Sequence, residues 1–136
     1  MEIKEDYCNF ETAKLLKEKG FDAETNTYYY STSEYTKSEM YKSYNNTNWN
    51  NNEYYYSAPT HQMAMKWLRD AKEIYICPKL RCFFDGKQHY YKWEPTILRL
   101  PSNNIIYPQP MDMCKHYESY TEAVEAALKY SLENLI

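Results

Sequence analysis

Cys82 and His89 are the two residues whose types and spacing come nearest to chemistry. They flank Asp85-Gly86, a pair that predicts a tight hairpin turn, so they would stand at nearly matched positions on facing strands. A thiolate beside an imidazolium would be reactive. Such a pair needs an oxyanion donor and an orienting group, and the sequence suggests neither. We therefore predict no enzyme and keep a cysteine-dependent enzyme using Cys82 and His89 as an alternative hypothesis.

A metal site could draw on His61, His89, His116 and Cys114. Cys114 and His116 are close in sequence and could supply two ligands from an extended loop. Structural zinc needs a second matched pair, and the spacing of these residues does not provide one. The sequence therefore predicts no metal site.

Glycine is scarce, since Gly20 and Gly86 are the only two in the chain. Loops that bind phosphate need glycine because the backbone must approach the phosphate closely. Neither a P-loop nor a dinucleotide-binding fingerprint can be built, and we expect no cofactor.

Base stacking is a chemistry that the 17 tyrosines leave open. Tyr91 and Trp93 share a face of one predicted strand, with His89 and Lys92 nearby, as in binders of nucleotides or single-stranded nucleic acid. The core face of a Tyr-rich sheet has the same pattern, and aromatic strands more often bury one face. For the case that a ligand binds, the predicted contacts are Tyr54, Tyr55, Tyr91 and Trp93.

Charge and apolar content exclude two classes of partner. The chain has 16 Lys+Arg and 19 Asp+Glu, a net charge of −3, so the clustered cations that bind duplex nucleic acid are not expected. No apolar run approaches the roughly 20 residues that span a bilayer, so no membrane partner is expected. Cysteines without paired spacing and the lack of a signal-peptide pattern lead us to expect a cytoplasmic protein.

Three helices must position these residues. The first has Asn9 as its N-cap and Gly20 just past its end. Thr60 is a natural N-cap for the second, whose apolar stripe includes Trp67. Ser119 and Glu122 form a capping box for the third.

The segment between the first two helices changes composition abruptly. Tyr28-Tyr29-Tyr30 and Tyr54-Tyr55-Tyr56 have strand-forming character, whereas residues 33–52 are polar and rich in Asn. We predict two short strands joined by a long mobile loop at about residues 33–52. Trp49 is the one residue that disorder does not explain, and we predict it to be an anchor for a protein partner.

The sequence of residues 74–100 predicts antiparallel β structure. One strand is expected to be interrupted or bent at Pro78, a hairpin follows around Asp85-Gly86, and a further strand comes before Pro101. A loop is expected from Pro101 to Met113. The whole chain, residues 1–136, is predicted to be a single α+β domain, in which three helices pack on an antiparallel sheet of four to five strands in two layers.

Three stretches resemble a widespread family of small uncharacterised proteins from gut-bacterial genomes and their phages: FETAKLLKEKGF (residues 10–21), YSAPTHQMAMKWLR (56–69) and YESYTEAVEAALKYSLENLI (117–136). They cover the three helices, about a third of the chain. The Tyr/Asn-rich segment and the middle hairpin lie outside the resemblance. It implies an accessory role in a phage or mobile element and no catalytic residue.

Two function classes remain beside the enzyme. The first is a non-enzymatic binding module of a phage or mobile element that occupies a host protein or sequesters a nucleotide-type small molecule. The second is a structural protein that self-assembles into a homo-oligomer through its Tyr-rich strands.

Overall fold

A computed structural model describes residues 1–101, 104–107 and 116–136. The elements in those ranges are α1 (Phe10–Glu18), β1 (Thr25–Ser31), β2 (Thr36–Thr47), a 3₁₀ helix (Trp49–Asn51), β3 (Tyr55–Ser57), α2 (His61–Lys72), β4 (Ile74–Ile76), β5 (Lys79–Phe84), β6 (His89–Glu94), β7 (Ile97–Arg99), β8 (Asn104–Tyr107) and α3 (Tyr120–Asn134). The predicted α+β class is confirmed. The prediction gives one domain, whereas the structure has two compact units, Met1–Ala64 with Ile136, and Met65–Leu135.

The first unit packs α1 on one face of an antiparallel sheet with strand order β2-β1-β3. Phe10 of α1 contacts two tyrosines of that face, with ring centroids 5.4 Å from Tyr29 and 5.3 Å from Tyr56. Tyr29 is buried, and its hydroxyl donates to the Cys8 carbonyl oxygen at 2.8 Å. One face of the sheet is therefore core.

The predicted helix ends are confirmed in all three helices. The Asn9 side chain accepts from the Thr12 amide at 2.9 Å, and Gly20 has a φ of +89°, which suits glycine at a helix end. Thr60 Oγ1 accepts from the Met63 amide at 3.2 Å, and Ser119 Oγ accepts from the Glu122 amide at 3.1 Å.

The predicted long loop at residues 33–52 is wrong. Strand β2 covers Thr36–Thr47 and pairs with β1, with Tyr28 opposite Tyr41, and the 3₁₀ helix follows at Trp49. Backbone pairing with β1 needs no apolar side chains. Irregular register at both ends of the ladder accommodates the extra residues of β2.

Polar side chains fix the return from β2 to β3. The side-chain Nδ2 of Asn50 donates to the Phe21 carbonyl oxygen at 2.9 Å, and the side-chain Oδ1 of Asn50 accepts from the Ser57 backbone amide at 2.9 Å. Lys17 Nζ donates to the carbonyl oxygens of Asn52, Glu53 and Tyr55 at 2.6, 3.1 and 2.8 Å. The Asn-rich run is therefore built into the unit by hydrogen bonds to distant backbone.

The second unit contains two sheets. One has the order β4-β7-β8, and the other is the β5-β6 hairpin. The hairpin register runs without a break from Lys79 opposite Glu94 to Phe84 opposite His89. Asp85 Oδ1 accepts from the amides that follow the turn, as the Asp-Gly signal predicts. Buried alanine, valine and leucine side chains line one side of α3.

Two details of the β prediction are wrong. The structure has three small sheets in place of one sheet of four to five strands. The interruption predicted at Pro78 is confirmed, because the chain divides there into β4 and β5, and proline has no N–H to continue a ladder. Strand β8 forms inside the loop expected from Pro101 to Met113, whose remaining residues, apart from Pro101 itself, lie outside the described part of the chain.

Within the described ranges, no helix is both long and apolar enough to cross a bilayer.

Candidate functional site

The candidate site is the face of the β2-β1-β3 sheet opposite α1. Side chains alternate along a strand, so Tyr28 and Tyr30 stand together on this face while Tyr29 points to the core. Tyr41 lies opposite Tyr28, and Tyr55 lies opposite Tyr30. We call these four tyrosines together with Trp49 the aromatic face.

Tyr28 is the centre of the aromatic face. Its ring stacks on Trp49 with centroids 4.2 Å apart and on Tyr41 at 5.7 Å, with interplanar angles of 28° and 24°. Tyr55 completes the contacts, at 5.4 Å from Tyr28 and 5.2 Å from Tyr30. These separations are those of favourable aromatic pairs.

An open groove of about 200 Å³ runs between Tyr28, Tyr30, Tyr41 and Tyr55. All four rings and Trp49 are half-buried, so each offers part of its surface to solvent. A groove lined by π surfaces and phenol groups suits a planar or ring-shaped ligand with some hydrogen-bonding capacity.

Trp49 is held in place by more than stacking. Its indole Nε1 donates to the Thr25 carbonyl oxygen at 2.8 Å. The Asn48 side chain caps the 3₁₀ helix by accepting from the Asn50 amide at 3.1 Å. Trp49 is thus part of a pre-formed surface.

The lysines of this unit whose contacts the structure gives are directed elsewhere. Lys14 Nζ lies 4.8 Å from the Phe10 ring centroid. Lys17 binds loop carbonyls, and burial lowers the pKa of its ammonium from the ordinary value. Lys42 follows Tyr41 and opposes Thr27, so it points to the other side of the sheet. None of these three ammonium groups is positioned to bind an anion on the aromatic face.

The predicted site residues lie in three different places. Tyr55 belongs to the aromatic face, and so does Trp49, which was predicted as a protein anchor. Tyr54 is exposed and lies just before β3, outside the aromatic face. Tyr91 and Trp93 belong to the second unit.

Sequence reasoning missed Tyr28, Tyr30 and Tyr41 as site residues. The signal for the first two was present, because three consecutive tyrosines in a strand must place the outer two on one face and the middle one on the other. Tyr41 could not be found, because it lies in the segment that the sequence predicted to be a loop.

In the second unit, Tyr91 and Trp93 share one face of the hairpin, as predicted. Their partners in the register are Cys82 and Leu80. Tyr91 is exposed, whereas Trp93 is half-buried with its ring edge-on to Tyr120 at 5.2 Å. Trp93 therefore has a packing role within this unit.

Cys82 and His89 meet across the hairpin. Both are exposed, and Cys82 Sγ lies 3.9 Å from His89 Nδ1. The residue directly opposite Cys82 is Tyr91, and the residue directly opposite His89 is Phe84. Cys82 and His89 are therefore diagonal neighbours on one face of the hairpin. The predicted proximity of the two side chains is confirmed.

The other residues considered for a metal lie apart from this pair. His61 is buried in the first unit. His116 packs edge-on against Phe83, on the opposite side of the hairpin, with Nε2 3.9 Å from Glu94 Oε2. Cys114 lies outside the described residues.

No family model, curated protein or solved structure matches this chain. The resemblance to small proteins of gut bacteria and their phages stays a prediction.

Proposed function

We propose that this protein is a non-enzymatic binding module that holds a nucleotide-type small molecule through stacking on its aromatic face. The observation that carries the proposal is a set of five half-exposed rings joined by ring contacts, four of which line a groove of about 200 Å³. A sheet that needed these rings only for stability would bury them, as the other side of the same sheet buries Tyr29.

The rings need no rearrangement to accept a ligand. Trp49 is fixed by its hydrogen bond to Thr25, and Tyr28 is held by ring contacts with Trp49 and Tyr41. Base–aromatic stacking contributes about 1–3 kcal/mol per base. Two such contacts would contribute about 2–6 kcal/mol, which corresponds to a dissociation constant of about 0.04–30 mM before any hydrogen bond is added.

The part of the ligand that is recognised should be the base. Lys14, Lys17 and Lys42 are all directed away from the aromatic face, so none of them would pair with a phosphate. Tyrosine hydroxyls at the groove can donate to and accept from the polar edge of a base. Recognition of the base alone gives adenosine and its phosphates similar affinities.

Calorimetric titration with adenosine, AMP and ATP tests the proposal. We expect dissociation constants within about threefold of one another, and a loss of about tenfold in Tyr28→Leu, which is the effect of removing one stacking contact of about 1.4 kcal/mol. Tyr44→Leu is the matched control, because Tyr44 is a fully exposed tyrosine of β2. Circular dichroism checks that both variants are folded.

Two results would count against the proposal. Equal adenosine affinity in wild type and Tyr28→Leu would mean that the aromatic face is not the site. ATP binding more than tenfold tighter than adenosine would mean that phosphate recognition dominates. If no nucleoside or nucleotide binds, a host protein becomes the partner to seek.

An accessory role in a phage or mobile element is the wider setting that we propose for this binding. It is supported by the resemblance in the three helical stretches and by nothing else, so the binding experiment does not depend on it.

Self-assembly is a second candidate, favoured by one observation. In the order β2-β1-β3, the long strand β2 is an outer strand, and an outer strand can pair with another chain. Multi-angle light scattering at rising concentration distinguishes the two: a strict monomer at millimolar concentration contradicts self-assembly through β2.

A further inference from the structure

The two faces of the β5-β6 hairpin differ sharply in how their side chains are used. On one face, Arg81 Nε donates to Glu94 Oε2 at 2.7 Å and Lys92 pairs with Glu118. Phe83 on the same face stacks on Tyr90 with centroids 5.3 Å apart. Charges and rings on this face therefore have partners within the unit.

The other face is apolar and, apart from Trp93, which packs edge-on against Tyr120, is open to solvent. Leu80, Phe84 and Tyr91 share it and are 51%, 62% and 59% exposed. Cys82 and His89 stand among them, on the same face by the register. We call these five residues the hairpin apolar face. Large apolar side chains grouped in this way are typical of a surface that another protein covers.

The distance between Cys82 and His89 matches that of two ligands on one zinc ion. Zinc binds sulfur at about 2.3 Å and imidazole nitrogen at about 2.0–2.1 Å, and a tetrahedral angle then places the two ligand atoms about 3.6 Å apart. Cys82 Sγ and His89 Nδ1 are 3.9 Å apart in the absence of any ion. A shift of a few tenths of an ångström would make them a bidentate pair.

One hairpin supplies only half of a structural zinc site. A tetrahedral site needs four protein ligands, and in the part of the chain that is described this pair belongs to no group of three metal-ligating side chains. The nearby Asp85 carboxylate accepts from the amides of Lys87 and Gln88 in the turn. The described residues of this chain offer no third ligand beside the pair, which leaves the matching pair of a second copy as a source of the other two.

We propose that Cys82 and His89 bind a zinc-type divalent cation together with the same two residues of a second copy of this chain. A two-fold axis through the metal gives a Cys₂His₂ set, and each copy then covers the hairpin apolar face of the other, as a self-complementary interface requires. Two thiols each release one proton to solvent as their sulfurs bind the metal, and both imidazoles bind through Nδ1. The inference is independent of the aromatic face.

Zinc titration under a thiol-free reductant tests the proposal, with metal content read by a chromogenic chelator and mass by light scattering. We expect half a zinc ion per chain and a dimer that EDTA returns to monomer. Cys82→Ser and His89→Gln should each weaken zinc binding by about 100-fold or more and abolish the dimer. Cys77→Ser and His116→Gln, which alter a thiol and an imidazole outside the pair, should behave as wild type.

The variant Phe84→Glu tests the contribution of the apolar interface separately from that of the metal ligands. It leaves Cys82 and His89 in place and puts a carboxylate into the apolar contact, so zinc should no longer produce a dimer. Three results would overturn the proposal: one zinc per chain on a monomer, no zinc binding at 100-fold excess of metal, or a dimer that persists in EDTA.

Discussion

Replacing Asn50 by alanine tests how the polar segment between β2 and β3 is held. Asn50 is part of an Asn-rich run that contains few apolar side chains, yet its side chain joins two distant pieces of backbone. Its amide nitrogen donates to the Phe21 carbonyl oxygen, and its Oδ1 accepts from the Ser57 amide, both at 2.9 Å. Alanine removes both bonds and adds no new group.

The expected loss of stability follows from these two bonds. Ser57 is fully buried, so its amide would lose its side-chain partner in a place with little water, which costs about 1–3 kcal/mol. Losing the bond to the Phe21 carbonyl adds about 1 kcal/mol. We expect the free energy of unfolding to fall by about 2–4 kcal/mol, which lowers the urea midpoint by about 1–2 M.

Urea unfolding followed by circular dichroism measures this change. Asn45→Ala is the matched control, because Asn45 is an exposed asparagine of β2, and its midpoint should stay within about 0.3 M of wild type because exposed substitutions have small effects. If Asn50→Ala and Asn45→Ala unfold at the same urea concentration, the reasoning about this segment is refuted.

Two further predictions concern single groups. Tyr29→Phe removes the hydroxyl that donates to the Cys8 carbonyl, so it should destabilise by about 1–2 kcal/mol in urea unfolding, whereas Tyr44→Phe on the exposed side of β2 should change nothing. The hydrogen bond from Arg81 lowers the pKa of the Glu94 carboxyl in the folded protein. The bond therefore stabilises the fold at pH values above the pKa that Glu94 has in the unfolded chain, and this stabilisation is lost as the pH falls through the lower pKa of the folded protein. Because Arg81 is half exposed, Glu94→Gln should cost about 0.5–1 kcal/mol at pH 7 and nothing at pH 2, and an equal loss at both pH values would contradict this assignment.

Local signals in the sequence were sufficient for the helix ends and the hairpin. The features that end the helices and make the turn involve neighbours only a few residues away in sequence. They are the caps at Asn9 and Ser119, the positive φ of Gly20 and the hydrogen bonds of Asp85 in the Asp85-Gly86 turn. Interactions of this range can be predicted from sequence because the partners are fixed by chain geometry.

The polar segment could not be predicted because its partners are distant. Asn50 binds Phe21, 29 residues away, and Lys17 binds the Tyr55 carbonyl, 38 residues away. Composition alone favours disorder for such a run. Only the pairing of β2 with β1 shows that its tyrosines belong to a sheet.

The candidate site was predicted in part for the same reason. Tyr55 and Trp49 were selected for their type, and both lie on the aromatic face. Which further rings join them depends on the register of Tyr28 with Tyr41, and that register follows from the tertiary fold. The proximity of Cys82 and His89 was predictable because a short hairpin turn keeps the strand residues that flank it close together.

The most direct test of the proposed binding surface is an aromatic ¹H–¹³C NMR titration with adenosine. Resonances of Tyr28, Tyr30, Tyr41, Trp49 and Tyr55 should shift together with one dissociation constant, while those of Tyr29 and Tyr56, on the core side of the same sheet, should remain in place. Shifts confined to Tyr91 and Trp93, or none on the aromatic face at ligand concentrations up to about 30 mM, the weak end of what two stacking contacts provide, would contradict the account.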